Sequence, residues 1–154
     1  MPEQHAESGE IRKIMGTPAK PKHYKDLLIW QKGMVLAKLV YKFTARFPPQ
    51  ERFGLTAQLR RAAVSVPSNI AEGQARQGTK EFLQFLSHAE GSLAEVETQV
   101  LLAVDLCFAH REDAEPCLKE VDELQKMITS LKKKLSSYSP LATRHSPLPS
   151  AEPH

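Results

Sequence analysis

The middle of the chain reads Ala62-Ala63-Val64-Ser65-Val66-Pro67-Ser68-Asn69-Ile70-Ala71-Glu72-Gly73. Its apolar residues recur at the three- and four-residue spacing of a helix, yet a proline and several small polar residues lie inside the pattern. Proline lacks the amide hydrogen that would bond the carbonyl of Ala63, so the pattern predicts a kinked helix. A partly buried Asn69 needs partners, and that carbonyl and Ser65 are both near. In preference to a ligand site, we interpret this as a polar clasp that stabilises the helix, formed by Ser65, Pro67, Asn69, Glu72 and Gly73.

The helix containing this clasp is predicted over about 51–73, and Gly73 is predicted to follow its last residue. Its small apolar side chains form a narrow stripe, which allows a neighbouring helix to approach closely. The stripe consists of Leu55, Leu59, Ala62, Ala63, Val66 and Ile70. An earlier helix is predicted over about 24–47, ended by Pro48-Pro49, with Leu28, Val35, Leu39 and Phe43 on one face.

A third helix is predicted over about 79–109, with Thr79 as its N-cap. Its apolar seam alternates spacings of four and three, as in a heptad pattern. The seam consists of Phe82, Leu86, Ala89, Leu93, Val96, Val100, Ala103 and Cys107. Residues 100–108 are apolar nearly all round, so they need a second contact face. That face belongs either to a central helix or to an oligomer interface, for which the candidates are Leu101, Leu102, Leu106 and Phe108.

A fourth helix is predicted over about 112–137, with Asp113 as its N-cap, and no strand pattern is present. The links between helices are short, which favours an all-α, antiparallel up-down-up-down four-helix bundle over residues 23–138. Residues 1–22 are predicted to be a flexible leader, within which Met15 is an alternative start, and residues 139–154 a disordered tail rich in proline and serine.

The composition argues against several classes of protein. The chain has 154 residues, 41% hydrophobic and 25% charged, which suits one globular domain. It has no apolar run long enough for a membrane span and no signal peptide, so a cytoplasmic protein without membrane contact is expected. Cys107 and Cys117 are interpreted as buried free thiols. No Glu-x-x-His pair, phosphate-binding loop or nucleophile motif occurs, so we expect no enzyme, metal or cofactor.

The charge is unevenly distributed, although the net charge is only +3. Cations dominate the first two predicted helices, and carboxylates dominate the third. The candidate nucleic-acid-binding residues are Lys38, Lys42, Arg60, Arg61 and Arg76, which suit phosphate groups if they converge. The alternative is a solvated face, or pairing with Glu90, Glu95 and Glu97 within or between subunits.

Residues 24–110 resemble a family of proteins encoded in intervening sequences of bacterial 23S ribosomal RNA genes. The resemblance is carried by short motifs along this region. They are Tyr24-x-x-Leu27-x-x-Trp30-Gln31, Phe47-Pro48-x-x-Glu51-x-Phe53-Gly54-Leu55, Gln58-Leu59-Arg60-Arg61-Ala62-Ala63, Ser65-Val66-Pro67-Ser68-Asn69-Ile70-Ala71-Glu72-Gly73, Arg76, Phe82-x-x-Phe85-Leu86 and Ala89-x-Gly91-Ser92-Leu93-x-Glu95. Helix four matches only as an amphipathic helix, and nothing carries over to the two termini.

The resemblance implies a four-helix bundle that assembles as a ring-like homopentamer. The chain is also similar to the accessory variability determinant of diversity-generating retroelements, a pentameric barrel that binds reverse transcriptase and nucleic acid through a basic surface. We therefore expect a non-enzymatic homo-oligomer that binds RNA, DNA or a nucleoprotein partner. The alternative is a structural or protein-binding scaffold, such as an accessory subunit for a retroelement reverse transcriptase.

Overall fold

The computed structural model describes residues 23–137, which form four long helices and contain no strand. The helices are α1 (Leu28–Thr44), α2 (Leu55–Ala75), α3 (Thr79–Asp105) and α4 (Arg111–Ser137). Short 3-10 helices at Tyr24–Asp26 and Pro49–Glu51 precede α1 and α2. The expected all-α fold is confirmed. The predicted leader 1–22 and tail 139–154 lie outside the described residues.

One core runs the length of the bundle. Helix α1 packs against α2 and α4, and α3 packs against the same two helices, most extensively against α2. The fully buried large side chains come from all four helices and the residue before α1, so each helix contributes one apolar face. They are Leu27, Ile29, Leu36, Val40, Leu59, Val66, Ile70, Leu86, Leu93, Leu124, Ile128 and Leu131. None of the helices in this part of the chain has the length and hydropathy needed to cross a bilayer.

The buried face of α1 differs from the one expected. Val35, assigned to the apolar stripe, is 46% exposed, whereas Leu36 and Val40 are fully buried. The true stripe also contains Gly33 and Thr44, which are not hydrophobic residues. Thr44 is accommodated because its hydroxyl donates to the carbonyl of Val40 at 2.8 Å. The stripe was misplaced by about one residue because these two positions do not look apolar.

The stripe predicted for α2 is buried as expected, but the helix ends later than expected. Gly73 is a buried residue inside α2, which continues to Ala75, so the prediction of Gly73 as the residue after the helix is wrong. A Cβ atom at Gly73 would lie 2.6 Å from the Cβ of Phe85 on α3. A Cβ at Gly33 of α1 would lie 3.3 Å from the Cβ of Pro67. Glycine therefore permits close helix contact on both sides of α2.

Helix α3 is shorter than expected because its C-terminus closes in a Schellman motif. Cys107 has φ 60°, its amide donates to Val104 O at 3.0 Å, and the Phe108 amide donates to Ala103 O at 2.9 Å. Cys107 is consequently exposed, so its assignment to the buried seam is wrong. At the other end the N-cap is Gly78 rather than Thr79. The seam from Leu86 to Ala103 is buried as predicted.

Helix α4 begins at Arg111, so Asp113 lies in its first turn and is not the N-cap. Lys32 joins α4 to α1 through two ion pairs, 2.9 Å to Glu120 and 2.8 Å to Glu123. The hydrogen bonds to Glu120 and Glu123 raise the pKa of Lys32, and the same contact lowers the pKa of Glu123. Cys117 is buried as predicted, and burial raises its pKa to about 11.

Candidate nucleic-acid interface

The five candidate cations do not form one cluster. Arg60 and Arg61 line a groove between α1 and α2. Lys42 lines a different groove, between α1 and α4, beside Glu112 and Asp113. Arg76 directly follows the last residue of α2, about 22 Å from Arg61 along the helix axis, given the rise of 1.5 Å per residue. Lys38 is exposed on α1, one turn before Tyr41.

The groove that contains Arg60 and Arg61, called here the α1–α2 groove, has a volume of about 540 Å³. Its lining combines three arginines with two aromatic rings, and no carboxylate lines it in the described part of the chain. The lining residues are Tyr41, Arg52, Phe53, Thr56, Ala57, Arg60, Arg61 and Val64. Sequence reasoning missed Tyr41, Arg52 and Phe53. The available signal was the arginine next to an aromatic residue at Arg52-Phe53.

Arg60 is held in place on the α1 side of the groove. Its guanidinium carbon lies 4.5 Å from the centroid of the Tyr41 ring, and its Nε donates to Thr44 Oγ1 at 2.8 Å. Thr44 is itself buried and bonded to the α1 backbone. The guanidinium is therefore oriented before any ligand arrives, which lowers the entropy cost of binding.

The turn before α2 holds Arg52 and Phe53 at the groove edge. Glu51 Oε2 accepts from the Leu55 amide at 2.9 Å, so it satisfies one free donor of the first helical turn. Gly54 leaves room for this carboxylate, since a Cβ there would lie 2.5 Å from Glu51 Oε2. Phe53 projects from this turn with 87% of its surface exposed, and the Arg52 guanidinium lies 5.2 Å from its ring centroid.

The other candidate cations face carboxylates or rings elsewhere. Arg76 lies 3.3 Å from Glu72 and 5.5 Å from the ring centroid of Phe85. Among the described residues, Glu90 pairs with Lys132 at 2.9 Å. Within residues 23–137 neither Arg60 nor Arg61 forms an ion pair, so intramolecular pairing with Glu90 does not occupy them.

The residues of the predicted clasp are divided between two kinds of contact. Asn69 is half-buried, and its Nδ2 donates to the carbonyl of Ser65 at 2.8 Å, which was one of the two expected partners. The Ser65 hydroxyl crosses to α3, where it lies 2.5 Å from Ser92 Oγ. Glu72 is exposed and contacts Arg76. The α2–α3 contact thus includes a hydroxyl pair that the sequence pattern did not indicate.

The four candidate interface residues lie in the last turn of α3 or just after it. Leu102 is 43% exposed and Leu106 is 50% exposed. Leu101 and Phe108 are half-buried, and the Phe108 ring packs 5.9 Å from the Phe47 centroid. Only the first two therefore present a large open apolar surface.

Comparison with known proteins identifies a family and solved structures with a similar fold. Residues 25–130 match the model of the 23S rRNA-intervening sequence protein family. No curated protein matches the chain. A protein of unknown function from the S23 ribosomal protein family of Bacteroides thetaiotaomicron VPI-5482 has a similar crystal structure, with a TM-score of 0.62 and 25% identity. The match covers 69% of this chain and 99% of that one. With most of the bundle matched, this chain belongs to the 23S rRNA-intervening sequence protein family.

Proposed function

We propose that the chain is a non-enzymatic, homo-oligomeric RNA-binding protein whose basic surface centres on Arg60 and Arg61. The observation that carries this proposal is the α1–α2 groove, where three arginines lie together and no described carboxylate neutralises them. Guanidinium groups suit phosphate, which they contact with two parallel hydrogen bonds. Lys38, exposed one turn from Tyr41, extends the surface along α1. Lys42 and Arg76 contribute only to the wider positive field.

The proposal includes an up-down-up-down order of the helices and a ring-like homopentamer. Contacts between neighbouring helices support the order, because early residues of one helix meet late residues of the next. Gly33, early in α1, faces Pro67 in the second half of α2, and Glu90, in the first half of α3, meets Lys132 near the end of α4. Likewise Gly73, near the end of α2, faces Phe85, near the start of α3. Leu102 and Leu106 support assembly, since exposed apolar surface of this kind is stabilised when a second subunit covers it.

The test is fluorescence anisotropy with labelled single-stranded RNA across a salt series. Each phosphate contact contributes about 0.7 to the slope of log affinity against log salt for single strands. Contacts from the three groove arginines therefore predict a roughly twentyfold loss of affinity between about 50 mM and about 200 mM salt. Arg61→Gln should weaken RNA binding and reduce the magnitude of the slope by about 0.7, the contribution of one phosphate contact. Arg61 is exposed, and none of the described ion pairs includes it, so the variant should fold normally.

The matched control is Lys133→Gln, which removes the same charge from a site on α4, away from the groove. It should leave the salt slope nearly unchanged. If the two variants weaken RNA binding equally, binding depends on the net charge of the protein and not on the α1–α2 groove. Absence of RNA binding at low salt would contradict the proposal.

The second candidate function is a structural or protein-binding scaffold, such as an accessory subunit for a retroelement reverse transcriptase. The exposed Leu102 and Leu106 favour it, because they suit a protein partner rather than phosphate. In that case the basic face is covered by subunit contacts. Reversing the charge of Arg60 and Arg61 should then dissociate the oligomer rather than reduce RNA retention.

A further inference from the structure

We infer that the α1–α2 groove binds unpaired RNA, with bases stacked on Phe53 and Tyr41 and phosphates held by the neighbouring arginines. The inference rests on the proposed function and specifies the form of RNA that the protein takes. Sequence-tolerant binding of single strands combines a cationic groove with aromatic platforms, because every base has a planar face. Duplex RNA hides those faces by stacking them on one another.

The first platform is Phe53. With 87% of its surface in water, it is the most exposed of the large hydrophobic side chains in residues 23–137. Burial in the core therefore does not explain its position. Glu51 accepts a hydrogen bond from the Leu55 amide and so stabilises the turn that carries Phe53. The Arg52 guanidinium lies over one face of the ring and leaves the other face available to a base. A base that stacks on Phe53 would have a cation next to it for the adjoining phosphate.

The second platform is Tyr41, which is 47% exposed on the opposite wall of the groove. Arg60 lies over its ring and is anchored to the buried Thr44, so the pair is rigid. Each wall of the groove therefore carries one aromatic ring with a guanidinium group over it. Arg61 adds a third cation to the lining of the same groove.

Charge complementarity selects RNA over a second copy of the chain as the occupant. The groove offers three guanidinium groups and two exposed aromatic residues, each with a guanidinium over one face of its ring, and no carboxylate from the described residues. An acidic helix such as α3 of another copy would satisfy the charges, but the residues one turn to either side of its exposed Glu95 carry no aromatic ring to stack on Phe53 or Tyr41. Phosphates and bases satisfy both requirements.

The experiment compares two probes with the full-length protein by fluorescence anisotropy. One is a fluorescein-labelled oligouridylate of about twelve nucleotides, within the size range of single-strand sites, and the other is a duplex RNA of equal length. The wild type should bind the single strand more tightly. Phe53→Ala should weaken single-strand binding about fivefold or more, with the salt slope and duplex binding nearly unchanged, because stacking carries no charge.

Phe53→Trp should retain binding and give a direct signal, since an indole stacked on a base loses fluorescence. The wild type contains one tryptophan, Trp30, and therefore supplies the background emission. The matched control is Val35→Ala, which trims another exposed apolar side chain outside the groove and should change nothing.

The outcomes separate this inference from the proposed function. If the wild type binds RNA and Arg61→Gln weakens it, but Phe53→Ala has no effect, stacking is overturned and the proposed function stands. Equal affinity for duplex and single strand would likewise overturn stacking alone. If Phe53→Ala changes the mass of the assembly and not RNA affinity, a second copy occupies the groove and the inference fails. No binding of either RNA overturns both.

Discussion

Cys107 adopts the left-handed backbone conformation that follows the end of α3, although this conformation is unfavourable for a cysteine. Left-handed backbone geometry costs a non-glycine residue about 1–2 kcal/mol, and the position after a helix is usually glycine for this reason. Here the heptad spacing of α3 suggested a buried cysteine, whereas the chain turns at Leu106 and leaves Cys107 exposed with φ 60°. The unfavourable conformation is tolerated because it lets the Phe108 amide donate a hydrogen bond to Ala103 O, which closes the turn.

Cys107→Gly should therefore stabilise the protein by about 1 kcal/mol, after allowing for the greater freedom of glycine in the unfolded chain. Urea denaturation at neutral pH would measure the change. Cys107→Ala is the control, because it removes the thiol but keeps the conformational cost, and it should be close to neutral. A destabilised Cys107→Gly variant would mean that the side chain makes a contact worth more than the strain.

The residue-level errors have a common physical cause. Sequence reasoning placed Gly73 after the end of α2 because glycine commonly follows a helix. In the structure Gly73 is inside the helix because Phe85 of α3 occupies the space where a side chain would lie. Local patterns reveal which backbone conformations a residue allows, but not which neighbour approaches it.

At the level of the helices, the sequence largely predicted where each helix lies along the chain. It did not always predict which face of the helix is buried. Helices α2 and α3 carry continuous apolar stripes, and most of those stripes are buried as predicted. Helix α1 has apolar residues on several faces, and Trp30 and Leu39 pack only partly against the core. Periodicity alone could not choose among them, because the correct face includes Gly33 and Thr44.

The close contact of α2 with α3 gives a prediction with an internal control. Gly73→Ala should destabilise the protein by about 1–3 kcal/mol, since overpacking against Phe85 exceeds the gain in helix propensity. Gly91→Ala, at an exposed site of α3 with nothing within 4 Å, should instead stabilise it by about 0.5–1 kcal/mol. Thermal unfolding of both variants tests the pair. The same sign of change in both would contradict the packing argument.

At the level of the whole molecule, the all-α class and the family could be predicted from the sequence, whereas the composition of the candidate site could not. Convergence of cations depends on helix rotation, and an error of one residue in α1 moves a side chain by about 100° around the helix. That is why Lys42 and Arg60, predicted to act together, line different grooves. Tyr41 and Phe53 were overlooked because each looks like an ordinary core residue in isolation.

Assembly is testable through the apolar end of α3. Leu102→Gln combined with Leu106→Gln should convert the proposed pentamer into smaller species without loss of helix content, because both side chains are already exposed in the protomer. Native mass spectrometry measures the stoichiometry, and circular dichroism checks the fold.

Val35→Gln is the control for assembly, being an exposed apolar residue of similar accessibility at another site. It should leave the mass of the assembly unchanged. A wild-type protein that is monomeric at micromolar concentration would rule out the ring.

The Schellman turn of α3 also has a chemical consequence. The chain has two cysteines, and the turn exposes Cys107 while Cys117 stays buried with a pKa of about 11. A thiol reagent applied to the folded protein should therefore modify one site alone, close to Leu106. A fluorophore or spin label attached there would give one label per subunit. The number of subunits in an assembly and the distances between them could then be measured without introducing a new cysteine.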